Sequence, residues 1–301
     1  MKKTLAMMTA AVMVAGALAG CGSSSSTPAA TTAAATEAAT IAAATDAATT
    51  EVATTEADDT AAAAEGTLKT PSGKFTVGFD QEFPPMGFVG DDGQFTGFDL
   101  DLAKEVASRL GLEFVPQPIN WDAKDMELDS GNIDCIWNGF TMQGREDDYT
   151  WVGPYMANNQ VFVVTGDSDI ASKADLAGKA VEVQKDSSGL AALQGEAELS
   201  ASFGSMTEVA DYNTALMDLE SGACDAVCMD SIVAGYQIKS SGKDMKILDD
   251  TLSAEEYGIG FKKGEDELAK AVYDTLMAMK DDGTVAKISN DWFGSDVFTL
   301  K

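Results

Sequence analysis

The chain has 301 residues with 49 acidic and 20 basic side chains, four cysteines and no histidine, for a formal net charge of −29. So acidic a balance argues against a nucleic-acid partner, because binding phosphates needs a basic face; it serves solubility first, and attraction of cationic solutes second. The lack of histidine removes Ser-His-Asp and Cys-His catalysis, the commonest metal ligand and the usual near-neutral pH switch.

Lys2 and Lys3, an apolar run from Leu5 to Ala19 and the small residues before Cys21 predict a secretory signal over residues 1–20. The run is too short for a membrane-spanning helix of about 20 residues. Leu18-Ala19-Gly20-Cys21 resembles the bacterial lipobox, which implies that Cys21 becomes a lipid-modified first residue anchored to the membrane. From Gly22 to Glu65 the chain is almost wholly Ala, Thr and Ser with scattered acids. Such a segment buries too little apolar surface to offset its ordering entropy, so residues 21–65 read as an anchor cysteine and a disordered spacer. Setting aside the two lysines and seven acids of these 65 residues leaves 18 basic and 42 acidic groups, a net charge of −24, on a remainder long enough for a sizeable core.

In the remainder, Phe75 to Phe79 predicts a buried strand, followed by a loop that Pro84 and Pro85 stiffen against helix or central strand. Asp99 is a suitable N-cap for a helix in which Leu102, Ala103, Val106, Ala107 and Leu110 keep a 3.6-residue period and Gly111 is the stop. A helix from about Asp122 to Ser130 and a strand from Ile133 to Trp137 follow, and this alternation signals a parallel sheet.

Leu128-Asp129-Ser130-Gly131 with Asp134 recurs 91 positions on as Leu219-Glu220-Ser221-Gly222 with Asp225. In both places a helix ending in Ser-Gly runs into a short apolar strand. The strands end at Asn138 and Thr141 in one copy and at Asp230 and Ser231 in the other, where ligands of open α/β sheets bind. The repeated Asp134 and Asp225 read as structural, at a helix stop and the turn into a strand. The second copy contains a strand Ala180 to Val183, a turn at Lys185 to Gly189, a helix through Leu193, a strand Met206 to Val209, a helix Asn213 to Ser221 and a strand Asp225 to Met229. Segments Asn159 to Thr165 and Glu256 to Phe261 read as two strands connecting the lobes, and helices Glu265 to Lys280 and Thr284 to Trp292 as packing back on the first lobe. The expected division is lobe 1 over residues 70–160 and 260–301, and lobe 2 over 161–259. Cys135, Cys224 and Cys228 read as buried free thiols, with neither a disulfide framework nor a metal site expected.

Val77-Gly78-Phe79-Asp80 through Pro84-Pro85-Met86-Gly87-Phe88, Gly97-Phe98-Asp99-Leu100-Asp101-Leu102-Ala103, Asp225 to Ser231 and the closing Asp291-Trp292-Phe293-Gly294 together resemble family 3 solute-binding proteins, the amino-acid receptors of bacterial ABC importers. The likeness runs from about residue 70 to that closing segment. It implies an α/β, two-lobed, periplasmic-binding-protein-like (type II) fold with two hinge crossings, closing over one free, polar amino acid. It further implies delivery to permease subunits from an extracytoplasmic position on the membrane, as a monomer, without cofactor or metal and without chemistry on the ligand.

A carboxylate is best gripped by a guanidinium fork, hydroxyls and backbone N–H groups near a helix start. Arg145, Thr141 and Ser188, with the adjacent Ser187, match those family positions, and Asp230 matches the aspartate that takes the α-ammonium. The family more often places five residues from the hydroxyl to the arginine, whereas Thr141 to Arg145 is four. A surface arginine paired with Glu146 or Asp147 is the alternative reading. Phe83 and Trp121 match aromatics that sandwich the ligand's stem, though each is also a natural core residue. Asp80 and Glu82 lie where the family reads the ligand's side chain, Asn138 matches a hydrogen-bonding position, and Gly139 offers backbone. Glutamine, arginine, lysine and cystine all remain open as ligands. The alternatives are a dehydratase or lyase on the same fold, using Glu82 or Glu182 as acid or base, and a sensor domain acting with a signalling partner.

Overall fold

The computed structural model describes Thr70 and residues 72–301; the signal expected over 1–20 and the anchor cysteine and spacer expected over 21–65 lie outside the described residues. β1 (Lys74–Phe79) leads into β2 (Glu82–Phe83), β3 (Gly87–Val89) and β4 (Phe95–Thr96), followed by α1 (Phe98–Leu110), β5 (Glu113–Pro118), a 3-10 turn at Trp121–Ala123, α2 (Lys124–Asp129), β6 (Cys135–Thr141) and β7 (Tyr149–Thr165). The chain continues through β8 (Ala180–Gln184), α3 (Ser188–Gly195), α4 (Ala197–Ser202), β9 (Ser205–Val209), α5 (Tyr212–Ser221), β10 (Ala226–Asp230), α6 (Ser231–Ser241) and β11 (Met245–Ile247). It closes with β12 (Ser253–Lys262), α7 (Asp266–Asp281) and α8 (Thr284–Phe293).

The strand order β5-β1-β6-β12-β7-β10-β8-β9 shows two lobes sharing two long strands. β1 pairs in parallel with β5 and β6, and β8 pairs in parallel with β9 and β10. β7 and β12 run antiparallel between these halves. β12 lies along β7 from Tyr149 to Gln160, and β10 takes the other edge of β7 from Gln160 to Val163. The chain therefore crosses between lobes on β7 and returns on β12.

Each lobe's sheet is held by what its sequence pattern buries. Phe75, Val77 and Phe79 of β1 pack against Leu102, Ala103, Val106 and Ala107 of α1 in one core. Val181, Val183, Leu190, Leu193, Ala226 and Cys228 form the core between β8, β10 and α3. The three cysteines after residue 70 are free and buried, acting as small hydrophobes. α7 and α8 return to the first lobe: Phe293 packs edge-on against Phe98 at 5.1 Å, and Trp292 Nε1 donates to Asp101 at 2.8 Å. The repeated aspartates do equivalent work, since Asp134 Oδ2 accepts the Thr76 N–H at 2.6 Å and Asp225 Oδ2 accepts the Ala180 N–H at 2.8 Å. Each fixes the start of the neighbouring strand, beyond the turn-forming part read from the sequence.

Three local expectations are corrected. Asp99 does not cap α1: Gly97 is the N-cap, and the Asp99 carboxylate turns inward, fully buried. β6 runs through Asn138, Gly139 and Thr141 instead of ending at Trp137, because Thr141 stays paired with Tyr257 of β12. The Pro84-Pro85 segment is a turn between β2 and β3, whose strands pair Phe83 with Gly87, so the loop forms part of a small three-stranded sheet.

Candidate ligand-binding cleft

The cleft is lined on the first lobe by the carboxyl ends of β1 and β6. Asp80, directly after β1, donates its N–H to Asn138 Oδ1 at 3.0 Å, and its own Oδ1 accepts the Glu82 N–H at 2.9 Å. Burial pushes the Asp80 carboxyl up to about 6, against hydrogen bonds that pull it down. Burial also raises the Glu82 carboxyl, against its hydrogen bond from Asn213. Phe83 is buried with its ring centroid 5.9 Å from that of Tyr212 in the second lobe. Trp121 stands edge-on to Phe140 at 5.5 Å. Gly139 is held at φ +58, and a Cβ there would lie 2.9 Å from Phe83 and 3.1 Å from Tyr257. Only glycine suits that close approach of backbone to aromatic rings.

The second lobe presents the end of β10 and the start of α3. Ser187 caps α3, its hydroxyl accepting the Leu190 N–H at 3.1 Å, so that side chain is committed to the helix. Ser188 Oγ meets Thr141 Oγ1 at 3.2 Å and the Gln160 amide at 3.1 Å. Arg145 donates to the Thr141 carbonyl at 3.2 Å and to the Asp186 carbonyl at 3.5 Å, with its guanidinium over Phe140. Arg145, Thr141, Ser188 and Glu255 line one cavity of about 310 Å³. Glu146 and Asp147 form no ion pair with Arg145 among the described residues, so the surface pairing considered from the sequence does not form.

Asp230 lies at the centre of a buried polar network on the hinge strands. Its Oδ1 accepts from Tyr257 OH and from Asn158 Nδ2, both at 2.7 Å. The same Asn158 amide donates to Glu255 at 2.6 Å, and Gln160 also donates to Glu255, at 2.9 Å. A hydrogen-bonded path thus joins Thr141 and Ser188 to Asp230. Burial first, and then the Glu255 charge, hold the Asp230 carboxyl well above the usual carboxylate range. Neither carboxylate has a basic partner within 4.0 Å among the described residues.

The lobes touch across the cleft. Gln184 Nε2 donates to Asp80 Oδ2 at 2.6 Å, Asn213 donates to Glu82, and Lys185 pairs with Asp122 at 2.7 Å. Outside these contacts opens a cavity of about 1010 Å³, whose lining includes Asp80, Glu82, Trp121, Lys185, Asp211 and Asn213. Of the eleven residues named from the sequence, Asp80, Glu82 and Trp121 line the large cavity, Thr141, Arg145 and Ser188 line the small one, and Ser187 is taken up as the cap of α3. Phe83, Asn138, Gly139 and Asp230 are buried between them. Glu182 lines neither cavity; it sits in β8 facing Asp218 of α5.

Sequence reasoning missed Gln184, Asn213, Asn158, Gln160, Tyr212, Tyr257 and Glu255. A signal existed for some of them: Asn158-Asn159-Gln160 is a polar run inside an otherwise apolar strand, which is costly unless paired. It also missed the role of Asp99, whose Oδ2 accepts the Gly139 N–H at 2.7 Å and the Tyr155 hydroxyl at 2.8 Å, holding the turn of β6 at the cleft. Burial pushes the Asp99 carboxyl up to about 7. A raised carboxyl stabilises the fold fully below its unfolded pKa, near 4, and that contribution is lost as pH rises through 7. Asp99→Asn should therefore flatten the decline of melting temperature between about pH 4 and 7. The difference from wild type approaches about 1.4 kcal/mol per pH unit in that window; equal slopes in the two proteins would refute the assignment.

The model of the bacterial extracellular solute-binding proteins, family 3, matches residues 75–295. The chain is 33% identical over 243 residues to the L-cystine-binding protein TcyJ of Escherichia coli (strain K12), covering 78% of this chain and 89% of that protein. It is 32% identical to the L-cystine-binding protein TcyA of Bacillus subtilis (strain 168), covering 75% and 83%. Among solved structures it is similar to an ABC uptake transporter substrate binding protein from Streptococcus pneumoniae with bound histidine, with TM-score 0.73, 34% identity, and 76% and 96% of the two chains covered. An ancestral arginine-binding protein bound to arginine matches with TM-score 0.69 and 36% identity over 74% and 99%. The two-lobed fold, the shared hinge strands and these similarities agree, and the chain belongs to the family 3 bacterial extracellular solute-binding proteins.

Proposed function

We propose that the protein is the substrate-binding lipoprotein of an amino-acid ABC importer, capturing one free polar amino acid between its lobes and delivering it unchanged to the permease. The observation that carries this reading is the placement of Arg145, Thr141 and Ser188 beside the α3 start, joined by hydrogen bonds to the buried acceptors Asp230 and Glu255. Opposite charges so arranged fit the carboxylate and ammonium of one zwitterion. Asn138 Nδ2, a buried donor without a partner among the described residues, is available to the same ligand. In this reading residues 1–20 are the signal, Cys21 carries the lipid, and 21–65 is the spacer. Residues 70–160 with 260–301 form lobe 1, residues 161–259 form lobe 2, and the protein works as an extracytoplasmic, membrane-anchored monomer.

The large cavity carries Asp80, Glu82, Glu127 and Asp211 against Lys185 and favours a ligand whose far end bears a cation or amide donors. A thermal-shift screen of the standard amino acids and cystine tests the reading. A ligand at 100 times its Kd stabilises the native state by about 2.7 kcal/mol, and no shift with any of them would reject it. The Asp80 carboxyl at about 6 adds a pH signature. It is charged above pH 6 and neutral below, so affinity for arginine or lysine should fall by up to about tenfold per unit as pH drops from 6 to 5. Asp80→Asn should abolish that slope; an unchanged slope would place the distal cation elsewhere.

A further inference from the structure

We propose that Lys124 and Asp186 form a cross-lobe clamp that positions the α3 start over the ligand, making Lys124 a positioning residue for binding; this rests on the receptor reading above. Lys124 opens α2 in the first lobe and is only 2% exposed. Its Nζ pairs with the Asp186 carboxylate and lies 3.4 Å from the Asp186 carbonyl, in the second-lobe turn between β8 and α3. The ammonium also stands 5.3 Å from the Trp121 ring centroid. A lysine so deeply buried is stable in place only while its charge is paired and hydrogen-bonded. When the lobes part, Lys124 and Asp186 separate, so the pair exists only in the closed arrangement.

Three features tie the clamp to the binding site. Asp186 has φ +56, a left-handed value that a non-glycine residue adopts at some cost, and its neighbours hold it there. The carbonyl of the same residue accepts from Arg145 at 3.5 Å, so the clamp and the arginine of the cleft converge on one turn. The next two residues are Ser187, which caps α3, and Ser188, which meets Thr141. A second pair of reversed polarity, Lys185 with Asp122 at 2.7 Å, runs alongside with side chains 56% and 40% exposed. An exposed pair contributes little energy, and its role here is to fix the register of the two turns. The clamp acts on closure and touches no part of the ligand's side chain, so it sets residence time and leaves selectivity alone.

The test uses Asp186→Asn in the full chain, because Asp186 is the exposed partner and asparagine tolerates a left-handed backbone. For each amino acid that stabilises the wild type, the expected result is roughly tenfold weaker affinity through faster dissociation. The order of preference should stay the same. Lys124→Met should behave alike, with Lys124→Arg restoring most of the affinity. Independently of any ligand, spin labels at Met126→Cys and Met217→Cys, exposed positions on α2 and α5, should report a longer mean interlobe distance in Asp186→Asn than with Asp186 intact. Wild-type dissociation rates and unchanged label distances in Asp186→Asn would overturn the clamp while leaving the receptor reading standing. A changed order of preference would also overturn it, by making Lys124 a ligand contact. A wild type that binds no amino acid, yet shows the label difference, would overturn the receptor reading and keep the clamp as a device of closure alone.

Discussion

Asp230→Asn should raise the melting temperature at pH 8 while weakening amino-acid binding by two orders of magnitude or more. Asp230 is buried beside Glu255 with neutral donors around it, and its carboxyl is held well above the usual range by burial and by the Glu255 charge. Asparagine keeps the oxygen that accepts from Asn158 and Tyr257 and removes the charge. Each pK unit of penalty so relieved is worth about 1.4 kcal/mol, or roughly 3–5 °C in a chain of this size. In the proposed reading the ligand's ammonium loses its counter-charge by the same change, and truncating a buried charged partner costs about 2–5 kcal/mol of binding. Arg145→Ala should weaken binding by a similar factor, since in the same reading it removes the guanidinium proposed to take the ligand's carboxylate, but without the gain in stability. Opposite signs for stability and affinity at Asp230, read by thermal melts and titration on one preparation, are the signature expected of a site whose stability is sacrificed for function. A destabilised Asp230→Asn that still binds would show Asp230 to be structural.

Gly97→Ala should be the most damaging small change in the first lobe. Gly97 is the N-cap of α1 at φ +144, and a Cβ there would lie 2.3 Å from the Met86 carbonyl oxygen and 2.8 Å from Gly87 Cα. Both obstacles are backbone, held by Phe98 N–H donating to Pro85 at 2.8 Å and Asp99 N–H donating to Met86 at 3.0 Å. No side-chain rotation relieves the contact, so the first turn of α1 must lift off the segment that carries Asp80, Glu82 and Phe83. A cost of about 3–5 kcal/mol follows, a loss of about 10 °C or more, together with weaker binding. Gly111→Ala is the control: its φ is +69 but nothing lies within 4 Å of the added Cβ, so only backbone strain of about 1 kcal/mol is expected. Equal melting temperatures for the two variants would remove the steric account.

The sequence made the lobes legible because their signals are local. The 3.6-residue stripe of α1, the glycine stops at Gly111 and Gly222, and the repeated Ser-Gly with its following aspartate each act within a few residues of themselves. The proposed site was legible only as strand ends and motif positions. Asp80, Thr141 and Asp230 sit at strand ends and Arg145 in the turn after β6, all in recognisable segments. The pairs Gln184 with Asp80, Asn213 with Glu82 and Lys124 with Asp186 form only when the lobes meet, and Asn158 with Glu255 only when β7 and β12 pair, over sequence separations that periodicity does not sense. Asp99 shows how a local preference misleads. An aspartate before an amphipathic stripe is a good cap in isolation, yet here the buried Gly139 N–H and Tyr155 hydroxyl claim it.

Capture of an unaltered amino acid is decided by titration calorimetry of the protein with arginine, lysine, histidine, glutamine and cystine, followed by recovery of the ligand. An amino-acid receptor should show one-to-one binding of at least one of them at about 1 μM or tighter, with a negative heat-capacity change from cleft closure, loss of binding in Arg145→Ala, and a ligand recovered intact. Absence of binding to any of them at millimolar concentration, or recovery of a chemically altered product, would contradict the receptor reading.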